Sequence, residues 1–208
     1  MIAEPPPPEP VVEARVRQSG WGCLLEIVET IALTVVIFFV IQNFVAQPFQ
    51  VEMDSMERSL EPGDYVLVDK ISPHWDAYSR GDVVVFDAPT SVTSKKTPYI
   101  KRVIGVSGDT IEFKADGLVY VNGTALTEPY LFLGDSGQPE PTDSDQTRWI
   151  VPEGDLFVMG DHRQVSSDSR TFGPIPIASV VGRAILRYWP ISEFGVIGVP
   201  TYDGVPAG

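Results

Sequence analysis

The chain has 208 residues, 43% of them hydrophobic and 21% charged, which suits one folded domain with an appendage and argues against a multidomain machine. Its 28 acidic and 15 basic side chains leave a formal net charge of -13, which repels a phosphate backbone and tells against nucleic acid as a partner. Anionic lipid headgroups are repelled as well, so any attachment to a bilayer has to be hydrophobic.

Residues 1–20 include Pro5, Pro6, Pro7, Pro8 and Pro10, carry little apolar surface and read as a disordered tail. Residues 21–46 read as a transmembrane anchor, because the stretch from Thr30 to Val51 carries no charge and a helix ending near Pro48 spans a hydrocarbon core of roughly 30 Å. A cleaved signal peptide is the rival reading. Cleavage after Ala46 would put bulky Phe44 where a small residue is needed, so an uncleaved anchor is favoured. Glu26 and Glu29, near the entry end of the helix, fit the headgroup level. Arg15 and Arg17 before the helix, against Arg58 as the first basic residue after it, favour a cytoplasmic N-terminus. The expected location is therefore the cell membrane, single-pass, with residues 47–208 forming an extracytoplasmic domain.

From residue 64 the pattern changes to short β-branched and aromatic runs bounded by Gly, Pro and Asp. Tyr65–Val68, Val83–Phe86, Tyr99–Ile104, Thr110–Phe113, Leu118–Val121, Leu156–Met159 and Val180–Leu186 are predicted strands, so the fold class is mainly β. Asp116-Gly117 and Asn122-Gly123 are tight-turn signals on either side of one of them. Residues 88–97 and 134–147 read as longer loops, the second acidic and solvated. The single cysteine, Cys23, excludes an internal disulfide, and no metal site or cofactor is expected.

Ser55 lies just beyond the anchor, but a serine hydroxyl is a poor nucleophile without a base beside it. His74 and His162 are the only histidines that could serve, His74 in a connecting segment. A buried lysine is the alternative, since burial disfavours the charged amine and lowers its pKa. Lys101 shares a strand face with Tyr99 and Val103, while Ile100 and Arg102 point to the other. Period alone does not identify it as a base.

Ser55-Met56, Gly63–Lys70, Arg80–Phe86, Tyr99–Asp109 and Gly160–Arg170 occur in this order, followed by Val181–Ala184 and Tyr188–Pro190. Together they resemble the sequence boxes of bacterial type I signal peptidases, the Ser/Lys leader peptidase family, from the membrane helix to about Pro190. The resemblance implies a signal-peptidase-like β catalytic domain preceded by one N-terminal transmembrane helix. It implies a membrane-bound serine endopeptidase that removes N-terminal signal peptides from exported preproteins after an Ala-X-Ala-like site. Its partners would be those preproteins, the lipid bilayer and the secretion translocon. Position by position, Ser55 is the implied nucleophile and Lys101 the implied general base. Ser166 would orient the lysine amine, Asp168 and Arg170 would form an ion pair supporting that loop, and Gly160, Asp161 and Arg163 would hold its backbone. Phe49, Val51, Met56, Leu60, Tyr99 and Ile100 would line small pockets for an extended substrate.

Five positions depart from the family's pattern. Met53 stands where Ser, Thr or Gly is usual two residues before the nucleophile, Arg58 and Ser59 where Pro and Thr are usual, Ser107 where Pro is usual, and His162 where Asn is usual. Met53 and Arg58 motivate a second reading, a catalytically impaired relative that binds exported segments or scaffolds a secretion complex. A third keeps the protease but makes His162 the base, with Asp161 or Asp168 behind it.

Overall fold

The structure, a computed structural model, describes residues 20–93 and 97–205. The tail expected over 1–20 lies outside the described residues except for Gly20, and part of the 88–97 loop does too. The chain divides into two compact units at Phe39/Val40.

In the first unit, helix α1 runs over Gly20–Val40, and a wider π-helical turn, Ile41–Val45, continues it into the second. The apolar stretch from Gly22 to Val45 has 24 residues, about 36 Å at 1.5 Å per residue, long enough to cross a bilayer core. Residues 22–40 are all exposed, with Leu, Ile, Val and Phe side chains on every side, as a lipid-facing helix requires. The hydroxyls of Thr30 and Thr34 donate to the carbonyls of Glu26 and Thr30, both at 2.8 Å, so neither polar group needs water. The helical path stops at Val45, three residues before Pro48, the end expected from the sequence.

Among its described residues the second unit has twelve strands: β1 (Ala46–Gln50), β2 (Tyr65–Asp69), β3 (Val83–Asp87), β4 (Pro98–Gly105), β5 (Thr110–Phe113), β6 (Val119–Val121), β7 (Thr124–Ala125), β8 (Arg148–Ile150), β9 (Asp155–Met159), β10 (Ile175–Pro176), β11 (Val180–Trp189) and β12 (Gly195–Val196). One sheet has the order β1-β2-β11-β3-β4-β9-β10 with β12 added on β11, and a smaller one has the order β7-β6-β5-β8. Every strand pairing among the described residues is antiparallel. A single turn of helix, α2 (Ser169–Phe172), follows β9.

All seven predicted strands form. The run Val83–Phe86 shows why an unbroken apolar strand is needed here. Val83 and Val85 enter a core with Val51, Met56, Leu60, Val66, Val68 and Ala184, while Val84 and Phe86 enter another with Val103, Leu156, Val158 and Ile175. Burial on both faces removes the usual alternation. A third core joins Ile104, Phe157 and Met159 to Ile111, Phe113, Val119 and Val121 of the small sheet. The Asn122-Gly123 turn joins β6 to β7, both residues at positive φ, 52° and 85°, as a type I′ hairpin demands. Strand β1 was not expected, because Pro48 and its polar neighbours do not read as a strand. It sits at the sheet's edge, where a proline costs no ladder bond.

The acidic segment over 134–147 is less solvated than its composition suggests. Thr142 is buried and its hydroxyl accepts from Arg163, while Glu140 reaches inward to His162.

Candidate active site

Ser55 sits in a 3-10 turn, Asp54–Met56, entered through Met53 in extended conformation and left through Glu57. What pins this turn is the burial of the residues after Ser55. Met56 and Leu60 are 0% and 1% exposed, packed with Val51, Val66, Val68, Val83 and Val85. Burying two such side chains stabilises the loop by roughly 1.5–3 kcal/mol each.

Lys101 comes from the middle of β4, paired with Val84 of β3, and one position on Arg102 pairs with Met159 of β9. Lys101 is 1% exposed, covered on its sheet face by the segments that carry Ser55 and Asp168. Its Nζ lies 2.6 Å from Ser55 Oγ and 3.0 Å from the Ile100 carbonyl oxygen. Burial pushes the Lys101 amine down from its ordinary value to about 8, with the Asp168 and Asp161 carboxylates opposing that shift and Arg170 adding to it. The amine is thereby brought within range of accepting a proton near neutral pH.

The segment after β9 brings the remaining groups. Arg170 grips Asp168 with two hydrogen bonds, Nε to Oδ1 and Nη2 to Oδ2, both 2.8 Å. Asp168 Oδ2 also accepts from the Gly160 amide at 3.0 Å. Burial alone would raise the Asp168 carboxyl, but these donors and the Arg170 charge outweigh it and hold the group below the ordinary carboxylate range. Arg163 Nε donates to the Gly160 carbonyl at 3.0 Å, and Arg170 Nη2 to the Arg163 carbonyl at 2.7 Å. Asp161 instead faces Arg102, accepting from its Nε at 2.9 Å and Nη2 at 2.7 Å. Arg102 also donates to Ser59 Oγ at 3.2 Å, which ties β4 to the nucleophile loop.

The Ser166 hydroxyl is buried beside Gly160 and makes no hydrogen bond to Lys101 among the described residues, but it lies close enough to Asp168 to favour that carboxylate's charged form.

Phe49, Val51, Tyr99 and Ile100 line one cavity of about 220 Å³ between β1 and the start of β4, together with Met53 and Val66. Met56 and Leu60, also expected there, do not line it; they pack in the core beneath. Met53 is 41% exposed on the cavity wall, a residue that the sequence singled out only as a departure.

The histidine alternative fails on geometry. His162 Nδ1 is 2.7 Å from Glu57 Oε2, its Nε2 is 3.4 Å from Glu140 Oε2, and its ring stacks on Phe132 with centroids 3.8 Å apart. Asp161 and Asp168 are each committed to an arginine, so neither stands behind it. Met53 and Arg58, which motivated the reading of a non-cleaving relative, leave Ser55 Oγ within hydrogen-bond distance of the lysine amine.

The family signature described as signal peptidase, peptidase S26, matches residues 24–189. Signal peptidase IB of Staphylococcus aureus is 37% identical over 182 residues, 82% of this chain and 92% of the relative. Signal peptidase I of Leptolyngbya laminosa is 35% identical over 200 residues, 94% of this chain and 93% of the relative. The crystal structure of a signal peptidase I from Enterococcus faecalis V583 is 34% identical, covering 50% of this chain and 93% of that one, with a TM-score of 0.41.

Proposed function

The chain belongs to the S26 signal peptidase family, and from that membership we propose that Ser55 and Lys101 are its catalytic dyad. As a bacterial type I signal peptidase it is a membrane-anchored serine endopeptidase that removes signal peptides from preproteins. The 2.6 Å contact between Ser55 Oγ and Lys101 Nζ carries the proposal.

Neutral Lys101 takes the proton as Ser55 Oγ attacks the scissile carbonyl, and the developing oxyanion is met by the Ser55 backbone N–H. The protonated amine then delivers that proton to the departing amine of the mature protein, leaving an acyl-enzyme on Ser55. Lys101, neutral again, deprotonates the water that releases the signal peptide. Asp168 and Arg170 keep the loop behind the amine in place. The substrate lies extended along the cavity between β1 and β4, with Phe49, Val51, Tyr99 and Ile100 limiting the room to Ala-sized residues before the cut.

In this reading residues 1–20 form a cytoplasmic tail, residues 21–46 the anchor and residues 47–208 the extracytoplasmic peptidase domain. The bilayer holds the enzyme where signal-peptide ends emerge from the translocon. Full-length protein in detergent or lipid should cleave a preprotein after an Ala-X-Ala segment, and Ser55→Ala and Lys101→Met should each abolish cleavage. Cleavage retained in either variant overturns the dyad.

A further inference from the structure

Two of the departures from the family pattern, Arg58 and His162, meet in space around the turn that carries Ser55. His162 reaches that turn twice: its backbone amide donates to the Ser55 carbonyl at 3.1 Å, and its ring Nδ1 stands 2.7 Å from Glu57 Oε2. The ring is held from outside by stacking on Phe132 and by Glu140 Oε2 at 3.4 Å, an ion-pair distance without hydrogen-bond geometry. Arg58 holds the other end. Its backbone lies at φ 78°, which proline cannot adopt, its N–H donates to Glu61 Oε1 at 3.2 Å, and its guanidinium donates to the Leu131 carbonyl. Leu131 and Phe132 are neighbours, and the Phe132 amide donates to the Asp161 carbonyl at 3.1 Å. The nucleophile turn, the segment at 131–140 and the Gly160–Ser166 segment are therefore closed into one ring of contacts whose members are Glu57, Arg58, Phe132, Glu140 and His162.

We propose that the Glu57–His162 pair, backed by Arg58, is a positioning clamp that sets the Ser55 hydroxyl at its distance from Lys101, a role that rests on the dyad reading above. Among the described residues, the hydrogen bonds of Ser55 Oγ and Lys101 Nζ involve none of these side chains. The turn that carries Ser55 has no side-chain cap of its own. In place of a rigid proline, the loop is oriented by a histidine–carboxylate contact and a guanidinium strut, each anchored outside it.

The test is a double-mutant cycle on the full chain in detergent, with Glu57→Gln, His162→Gln and the double variant, read as kcat and KM on one preprotein. Each single variant should lose about tenfold in kcat at nearly unchanged KM, since a small misplacement of the nucleophile costs turnover and not binding. The double variant should be no slower than the worse single one, because both changes break the same contact. Arg58→Gly, which suits the positive φ but removes the strut, should lose kcat while keeping its melting temperature. Unchanged kcat in both single variants overturns the clamp, as does a rise in KM at constant kcat or a loss that only tracks the unfolded fraction. Should His162→Gln fail to fold, the more exposed Glu57→Gln carries the same expectation alone. Ser55→Ala run alongside separates the two ideas, for it abolishes cleavage whether or not the clamp exists.

Discussion

Gly160 stands so close to Ser55 that a β-carbon on it would fall inside contact distance of the Ser55 carbonyl oxygen and of the Ser166 hydroxyl. Its φ is not positive, so backbone freedom is not what requires glycine there; the approach of three chain segments is. Gly160→Ala should push the nucleophile turn away from Lys101. Overpacking of this kind costs about 1–3 kcal/mol, and a displacement near 1 Å costs about a hundredfold in turnover. Melting temperature and kcat measured together check this, and a Gly160→Ala enzyme with full turnover would show that the packing is not taut.

Asp161 is the counter-ion of a buried arginine next in sequence to the proposed general base. Asp161→Asn leaves Arg102 charged, 2% exposed and without its carboxylate, a situation that typically costs about 3–5 kcal/mol. Calorimetry or thermal denaturation should register that loss. Replacing both partners, Arg102→Met with Asp161→Leu, should recover part of it, because no unpaired charge remains. The Asp161 carboxylate also raises the Lys101 pKa, so its removal should move the acid limb of the activity profile to lower pH in whatever protein stays folded. A limb that moves upward contradicts the field assigned to Asp161.

Lys101 itself predicts opposite-looking but linked behaviour in activity and stability. Activity needs the neutral amine, so kcat/KM should rise with pH through about 8. For stability, the folded pKa of about 8 lies below the unfolded value near 10.4, so between those values the unfolded chain binds more protons than the native one. Stability attributable to this residue therefore increases as pH rises through that window, and below about 8 the buried charge is a constant penalty. Tyr78 and Tyr202, both pushed up to about 12 by burial, act in the other sense above pH 10. Subtracting the Lys101→Met variant removes their contribution. The difference in unfolding free energy between the two proteins should grow from pH 8 to pH 10 in favour of the native lysine, and a flat difference contradicts a depressed folded pKa.

How far the sequence carried the fold follows from what each segment offers to a reader. Strands such as Val83–Phe86 and Leu156–Met159 announce themselves because burial on both faces leaves an unbroken apolar run. Edge strand β1, with Pro48 inside it, and two-residue strands such as β7, β10 and β12 carry no period to detect. Ser55 and Lys101 are separated by 46 positions, and only the ordered boxes connect them, since neither residue type is informative by itself. Of the residues expected to line a substrate pocket, Phe49 and Tyr99 lie on the wall of the cavity between β1 and β4, whereas Met56 and Leu60 pack in the core, a distinction set by side-chain directions in and after the 3-10 turn that the sequence does not encode locally. Ser107, which stands where proline is usual, accepts from the Gly154 amide at 2.9 Å and donates to the Asp155 carbonyl at 3.4 Å, so it ties the turn after β4 to the start of β9 with bonds a proline could not make.

Met53 offers the most direct test of whether this site is tuned below its ceiling. It precedes the turn that carries Ser55, contributes no side-chain bond to it, and presents its thioether to the cavity wall at 41% exposure. A serine at this position would have a hydroxyl within the same turn, able to cap it and to donate to the oxyanion. A well-placed oxyanion donor is worth roughly 2.7–4 kcal/mol, about a hundredfold to a thousandfold in rate, and an engineered one held less firmly should give part of that. Met53→Ser should therefore raise kcat with little change in KM. Stability should stay within about 0.5 kcal/mol, because a half-exposed side chain outside the three cores leaves no cavity behind. The rival effect is that removing the thioether simply widens the cavity. In that case the gain would be confined to preproteins with side chains larger than Ala before the cut and would vanish on an Ala-X-Ala substrate. Turnover measured on both substrate types decides: a rise on both supports the missing donor, a rise only on the bulky substrate makes Met53 a size filter, and a fall in kcat with a lower melting temperature sinks the oxyanion idea.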